Sequence, residues 1–170
     1  EIAGVAKGAG MIAPNMATML VFLVTNARIN SDQLKKCLTK AVDDSFNAIS
    51  IDTDTSTNDM VLCFSTGDKN AEMHTKEEKQ EFYKLLLEAS QELAKMIVKD
   101  GEGATKFVEV VVKGAANWKD ARVLAKSVVD SPLVKTAVHG ADPNWGRIVM
   151  AIGKCENVKI NPDKLKLKIG

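Results

Sequence analysis

Two short and almost uninterrupted apolar runs constrain the fold of this chain most strongly. Thr18 to Thr25 reads TMLVFLVT, and Met60 to Thr66 reads MVLCFST. Runs of this length are typical of strands that are covered on both faces. Longer segments with apolar residues at helical spacing follow each of them. The alternation predicts an α/β or α+β chain with about five strands or more and about three or four helices.

The strongest helix prediction is Thr75 to Asp100. Thr75 and Glu78 have the spacing of a capping box at its start, and Gly101 is a natural stop at its end. Other helices are predicted over residues 31–49, 117–129 and 145–152, the first of them capped by Asn30 or Ser31. β-structure is predicted over residues 105–113, 133–138, 158–160 and 165–169, and loop structure over residues 1–17.

Charge and cysteine content exclude several classes of function. The 23 Lys and Arg nearly balance the 22 Asp and Glu, and no clustered basic run points to a nucleic acid as partner. The apolar runs are far shorter than the ~20 residues of a membrane span, and the sequence does not open with a signal peptide. The odd number and wide spacing of Cys37, Cys63 and Cys155 predict buried, reduced thiols in a cytoplasmic protein. Because His74 and His139 are also isolated, no metal site is predicted.

Thr18 combines a hydroxyl with a route to its activation. It follows the small residue Ala17 at the start of the first apolar run, where a threonine is usually only a strand former. A cut between Ala17 and Thr18 would give Thr18 an α-amine with a pKa of ~7.7–8. Such an amine is partly neutral at physiological pH and can act as general base for the neighbouring hydroxyl. The glycines that follow Lys7 lack the ending of a phosphate-binding loop.

Three further stretches combine turn residues with charged side chains. Glu102 lies between two glycines after the long helix, which suits close approach of a ligand but also a helix end with a solvated carboxylate. Asp52 to Asp59 does not match a calcium loop, and a self-bonded turn is the favoured interpretation. His139 to Arg147 is typical of a turn that opens a helix, with Trp145 as an anchor and His139 as an alternative catalytic base.

Four motifs, in this order and spacing, closely resemble the ornithine acetyltransferase family, which is the ArgJ family of arginine biosynthesis and includes glutamate N-acetyltransferases. The motifs are KGAGMIAPNMATML from Lys7, DTSTND from Asp54, DGEGATK from Asp100 and ADPNWGRI from Ala141. The likeness covers essentially the whole chain, which starts at Glu1 without a methionine. We therefore expect a middle-to-late section of a longer protein, with residues 1–17 ending an α chain and residues 18–170 forming most of a β chain.

The resemblance implies an amino-terminal-nucleophile enzyme with a layered αββα fold that is incomplete in this chain. Its members cleave themselves at the junction that corresponds to Ala17 and Thr18. The threonine then carries an acetyl group from N-acetylornithine to glutamate and releases ornithine, and some members also use acetyl-CoA as donor. The resemblance assigns substrate contacts to Lys7, Thr18 and Glu102, implies no cofactor and no metal, and suggests an αβ heterotetramer.

The residue chemistry agrees with these roles. Lys7 suits the α-carboxylate that N-acetylornithine and glutamate share, and Glu102 suits the ammonium group of ornithine, although the opposite pairing stays open. The family's oxyanion-hole pair and two further substrate-binding residues have no counterpart in the 170 residues. We therefore expect this chain alone to be inactive. The alternatives are a self-processing aminopeptidase or amidohydrolase of the same architecture and a non-catalytic ligand-binding fragment whose glycines only form turns.

Overall fold

The computed structural model describes residues 1–8, 10, 19–53 and 58–170. These residues form two compact units, Glu1–Ala104 and Thr105–Gly170. Together they contain five α-helices and one small sheet, an α+β composition that agrees with the predicted fold class.

The first unit is built on a three-stranded sheet in the order β1 (Ile2–Lys7), β2 (Leu20–Thr25) and β3 (Met60–Ser65). β1 runs antiparallel to β2, and β2 runs parallel to β3. The two apolar runs are thus confirmed as strands. The loop predicted for residues 1–17 is wrong for β1, because the small side chains of this segment form a strand by pairing with β2, which local sequence does not reveal.

Two α-helices of the first unit begin at the predicted caps. α1 (Ser31–Asp43) is capped by Asn30, and α2 (Lys76–Lys99) begins with the complete capping box of Thr75 and Glu78. α1 ends at Asp43, before the predicted residue 49. Just after this end, the Ser45 hydroxyl donates to the Ala41 carbonyl at 2.6 Å. A short polar side chain that bonds to nearby backbone favours such an end. Short 3₁₀ turns follow at Phe46–Ala48 and Lys69–Ala71.

One face of the sheet packs against the helices, and the other is exposed. The buried face contributes Val21 and Leu23 to a core that also contains Leu34, Ala41, Phe46, Phe82, Leu86, Ala94 and Ile97. The opposite face shows exposed apolar side chains at Val5, Phe22, Val24, Met60 and Phe64. The prediction that the strands are covered on both faces is therefore wrong within the described residues. An exposed apolar sheet face is the feature expected of a layered fold that is incomplete in this chain.

The second unit is helical where it is regular. Its helices are α3 (Trp118–Val129), α4 (Pro132–His139) and α5 (Trp145–Gly153), and a 3₁₀ turn follows at Pro162–Lys164. Val128, Val134 and Ala151 form a small core between the three helices. α3 and α5 confirm the helices predicted over residues 117–129 and 145–152, and the structure shows Asn117 and Asn144 as their caps.

The β-structure predicted in this unit is wrong. Residues 133–138 belong to α4, because Ser131 caps the helix and Pro132 occupies its first turn. Residues 105–113, 158–160 and 165–169 form no strand in the described part of the chain. β-rich composition indicates a side-chain surface suited to a sheet, but a strand also needs a paired neighbour. The described residues thus hold three strands, fewer than predicted.

Two predictions about the environment of the chain can be compared with the structure. Cys37, Cys63 and Cys155 are free thiols, as predicted, but each is only partly buried. Burial still raises the pKa of Cys37 and of Cys63, which keeps these thiols protonated. Among the helices of residues 19–53 and 58–170, none combines the length and apolar character required to cross a membrane.

Candidate functional site

A groove of about 1040 Å³ lies between β1 and the C-terminal part of α2. Its walls belong to the first unit and carry side chains of both charges as well as apolar ones. The lining residues are Gly4, Val5, Ala6, Lys7, Gly8 and Gly10 on one side, and Leu93, Met96, Ile97, Lys99, Asp100 and Glu102 on the other.

The groove brings together Lys7 and Glu102, two of the predicted substrate-contact residues. Lys7 is the last residue of β1, where it pairs with Leu20 at the start of β2. Glu102 follows the end of α2. Both side chains are exposed, so a ligand in the groove can reach them without displacing the core.

The position of Glu102 depends on a tight turn after α2. The Ala104 N–H donates to the Gly101 carbonyl at 3.0 Å, and Gly103 has a φ of +68°. A positive φ at the third residue of a four-residue turn strongly favours glycine. Gly101 is needed for space, since a Cβ atom there would lie 3.0 Å from Cδ1 of Ile51. The two glycines therefore form a structural turn, and that turn places the Glu102 carboxylate at its corner.

Gly10 lies directly against the Glu102 carboxylate. A Cβ atom on Gly10 would be 2.9 Å from Oε2 of Glu102 and 3.8 Å from Oδ2 of Asp52. Gly10 belongs to the KGAGMIAPNMATML motif, and Glu102 belongs to the DGEGATK motif. Two motifs that are far apart in sequence are thus brought together at the Glu102 carboxylate.

The charges of the groove suit a ligand that carries both signs. Lys7 and Lys99 present ammonium groups, whereas Asp100 and Glu102 present carboxylates. Hydrogen bonds between ionised groups are stronger than those between neutral ones, so this set favours an amino acid or a similar zwitterion. Met96, which is 62% exposed, adds an apolar surface for an aliphatic chain.

The predicted nucleophile, Thr18, and the predicted cleavage partner, Ala17, lie outside the described residues. The described chain resumes at Met19, which is 6% exposed. The Met19 N–H donates to Oδ1 of Asp59 at 2.6 Å, and the Met19 carbonyl accepts from the Met60 N–H at 2.9 Å. Burial raises the pKa of Asp59, although the Met19 hydrogen bond counteracts part of this effect.

Asp59 is the polar side chain near the junction that sequence reasoning did not single out. The Asp52 to Asp59 stretch was predicted to be a self-bonded turn, but Asp59 bonds to a residue that is 40 positions away. For Asp59 that prediction is wrong, and residues 54–57 lie outside the described residues. The sequence offers only a carboxylate immediately before an apolar run, which does not identify its distant partner.

The ADPNWGRI motif has a structural explanation within the second unit. Nη1 of Arg147, on α5, donates to the Leu133 carbonyl at 2.8 Å and to Oγ1 of Thr136 at 3.0 Å, both on α4. Arg147 therefore ties α5 to α4. Trp145 is 66% exposed and is not the core anchor that was predicted.

The alternative catalytic base, His139, lies on the surface of the second unit. It is exposed in the last turn of α4, and its Nδ1 lies 3.2 Å from Oγ1 of Thr105. Within residues 1–8, 10, 19–53 and 58–170, no cluster of three or more His, Cys, Asp or Glu side chains has the arrangement of a metal site.

Comparisons with known proteins agree with the four motifs. The family model described as the ArgJ family matches residues 1–170. The chain is 48% identical over 169 residues to the arginine biosynthesis bifunctional protein ArgJ 2 of Nostoc sp., which covers 99% of this chain and 42% of that protein. It is 56% identical over 155 residues to the glutamate N-acetyltransferase of Methanocaldococcus jannaschii, covering 90% of this chain and 38% of that protein.

A solved structure shows the same fold. The crystal structure of the arginine biosynthesis bifunctional protein ArgJ from Bacillus halodurans superposes with a TM-score of 0.78 at 47% identity. The superposition covers 82% of this chain and 66% of that chain. The chain spans about two fifths of the length of the curated relatives that it matches.

Proposed function

The chain belongs to the ArgJ family, and from this premise we propose that it forms part of an acetyltransferase of arginine biosynthesis. The enzyme transfers an acetyl group from N-acetylornithine to glutamate. The observation that carries this proposal is the groove that is lined by both Lys7 and Glu102. The names of the relatives, among them a glutamate N-acetyltransferase, support the same activity.

Thr18 is the proposed nucleophile, after the precursor cleaves itself between Ala17 and Thr18. The α-amine of Thr18 takes the proton of the hydroxyl as Oγ attacks the acetyl carbonyl of N-acetylornithine. The amide C–N bond then breaks, the proton passes to the leaving nitrogen, and ornithine departs. In the second half-reaction the amine of glutamate attacks the acetyl ester, which regenerates the hydroxyl. General-base help of this kind contributes roughly 10²–10⁴-fold to the rate.

The two charged residues of the groove bind different parts of the substrates. Lys7 meets the α-carboxylate, which N-acetylornithine and glutamate share. Glu102 meets the side-chain ammonium group, which only N-acetylornithine and ornithine carry. A carboxylate at this position attracts the donor but not the side chain of the acceptor, so Glu102 contributes to the distinction between the two half-reactions.

Substitution of the charged residues tests this assignment in the full-length protein. Glu102→Gln should raise the KM for N-acetylornithine about tenfold and leave the KM for glutamate nearly unchanged, because one charge-assisted contact is lost. Lys7→Met should raise both KM values. Steady-state kinetics with each substrate varied in turn measures the difference. Equal effects of Glu102→Gln on both substrates would contradict the assignment.

Product analysis separates acetyl transfer from hydrolysis. The full-length protein is incubated with N-acetylornithine, with and without glutamate, and acetate and N-acetylglutamate are quantified. We expect N-acetylglutamate to form and acetate release to be slight without glutamate. Rapid acetate release that is independent of glutamate would instead identify the hydrolase alternative.

Variants of Thr18 separate an enzyme from a non-catalytic fragment. Thr18→Ala should give one uncut and inactive chain, whereas Thr18→Ser should retain part of both processes because a hydroxyl remains. Intact-mass measurement reports the cleavage, and the transfer assay reports the activity. If Thr18→Ala changed neither, the non-catalytic alternative would be favoured.

The proposal extends to the donor and the assembly. Acetyl-CoA is proposed as an additional donor in the same acetyl-threonine cycle, with incorporation of labelled acetyl into N-acetylglutamate as its test. An αβ heterotetramer is the proposed assembly, in which the rest of the precursor supplies the oxyanion hole. Native mass spectrometry of the processed protein would detect two chains of each kind, and a single uncut chain would contradict this assembly.

A further inference from the structure

We propose that Asp59 is a positioning residue for Thr18, because its carboxylate accepts a hydrogen bond from the backbone N–H of Met19, the next residue in the chain. The inference rests on the proposed function, in which Thr18 carries the acetyl group. Asp59 itself touches no substrate in this proposal. It acts through the backbone that leads from the nucleophile into β2.

Met19 is fixed at three points. Its N–H donates to Oδ1 of Asp59 at 2.6 Å, its carbonyl accepts from the Met60 N–H at 2.9 Å, and its side chain is buried in the core of the first unit. Two successive residues, Asp59 and Met60, thus bind both polar groups of one residue. β2 and β3 continue from this point in parallel register.

The hydrogen bond to Asp59 constrains more than one atom. A peptide group is planar, so a bond to the Met19 N–H restricts rotation of the backbone at the residue that follows Thr18 in sequence. A hydrogen bond to an ionised acceptor is stronger than a neutral one. A nucleophile must be held close to its productive geometry, since an error of about 1 Å costs roughly 100-fold in rate.

The surroundings of Asp59 argue against an incidental contact. Asp59 is partly buried, and burial raises the pKa of its carboxyl because the charged form loses contact with water. A turn residue would normally bond to nearby backbone. Asp59 instead bonds to Met19, the second residue after the proposed cleavage junction, immediately before the neighbouring strand.

The opposite end of the same strand pair offers a matched control. Oγ of Ser65 donates to the Ala27 carbonyl at 2.5 Å, which also ties the end of β3 to the chain that follows β2. Ser65→Ala removes this bond and a second one, in which the Ser65 hydroxyl accepts from the Gly67 N–H at 3.2 Å, and both lie roughly 20 Å along the strand from Asp59. It should leave cleavage and turnover at the level of the unchanged protein.

The test compares Asp59→Ala, Asp59→Asn and Ser65→Ala in the full-length protein. Asp59→Ala should slow the appearance of the chain that begins at Thr18 and lower kcat by roughly 100-fold, with less than about threefold change in KM. Asp59→Asn keeps an oxygen that accepts from the Met19 N–H, so it should remain within about fivefold of the unchanged protein. Intact mass, initial rates and the melting temperature are measured for each variant.

Each result separates the hypotheses. A kcat of Asp59→Ala within about twofold of the unchanged protein would overturn the positioning role. Equal losses in Asp59→Asn and Asp59→Ala would also overturn it, because the charge and not the hydrogen bond would then be required. Thr18→Ala, assayed in parallel, tests the proposed function independently, since full activity of that variant refutes the acetyl-threonine cycle whatever Asp59 does.

Discussion

Gly10→Ala probes the contact between the two distant motifs that meet in the groove. The new Cβ atom would lie 2.9 Å from Oε2 of Glu102. The carboxylate must therefore withdraw by about 0.5 Å to reach an ordinary contact distance. Glu102 is exposed and its side chain is flexible, so it should turn away at little cost in stability.

The expected effect is on donor binding. A hydrogen bond to a charged group is worth about 1.5–3 kcal/mol, and partial misalignment that costs about 1 kcal/mol raises the KM about fivefold. We therefore expect a KM for N-acetylornithine about fivefold higher, with little change in kcat or in melting temperature. Gly10 does not require a positive φ, so the alanine adds no backbone strain.

A double-mutant cycle with Glu102→Ala tests whether Gly10→Ala acts through the Glu102 carboxylate. If Gly10→Ala acts through the Glu102 carboxylate, it should have no further effect on the KM once that carboxylate is gone. Steady-state kinetics of the two single variants and the double variant provides the comparison. An equal increase in KM in both backgrounds, or no increase in either, would refute the reasoning.

Two further predictions concern stability. Gly4→Ala places a Cβ atom 2.6 Å from Cδ2 of the fully buried Leu23. It should therefore lower the free energy of unfolding by ~1–3 kcal/mol, as measured by denaturant titration. An unchanged denaturant midpoint would contradict this close packing. Hydrogen bonds from the N–H groups of Thr75 and His74 lower the pKa of Glu78, so its stabilisation is complete above the unfolded-state pKa and is lost as the pH falls through the folded one. In the Glu78→Gln variant the melting temperature should therefore fall less steeply as the pH is lowered. An equally steep fall in the variant and the unchanged protein would contradict this role.

Elements with local signals could be predicted from the sequence, and elements that depend on distant partners could not. α2 begins directly after its cap Thr75 because the capping box lies within four residues, and α3 follows its Asn117 cap. β1 was missed because its small residues become a strand only when β2 pairs with them. α4 was mistaken for a strand because its apolar run outweighed the helix-start signals of Ser131 and Pro132.

The same division applies to the candidate site. The motifs pointed to Lys7 and Glu102 through a resemblance, and the structure brings both to one groove. The contact of Gly10 with Glu102 depends on the turn after α2, which sequence spacing does not reveal. The bond from Met19 to Asp59 crosses 40 residues, and no local pattern encodes such a distance.

The central claim is that an acetyl group passes through the hydroxyl of Thr18. Its most direct test is peptide mapping by mass spectrometry of the full-length protein after incubation with N-acetylornithine alone and again after addition of glutamate. The account predicts a chain that begins at Thr18 and carries one acetyl group on the hydroxyl of that residue, which glutamate removes. Full transfer activity in a protein whose Ala17–Thr18 bond stays intact, or a transferable acetyl group on another residue, would contradict it.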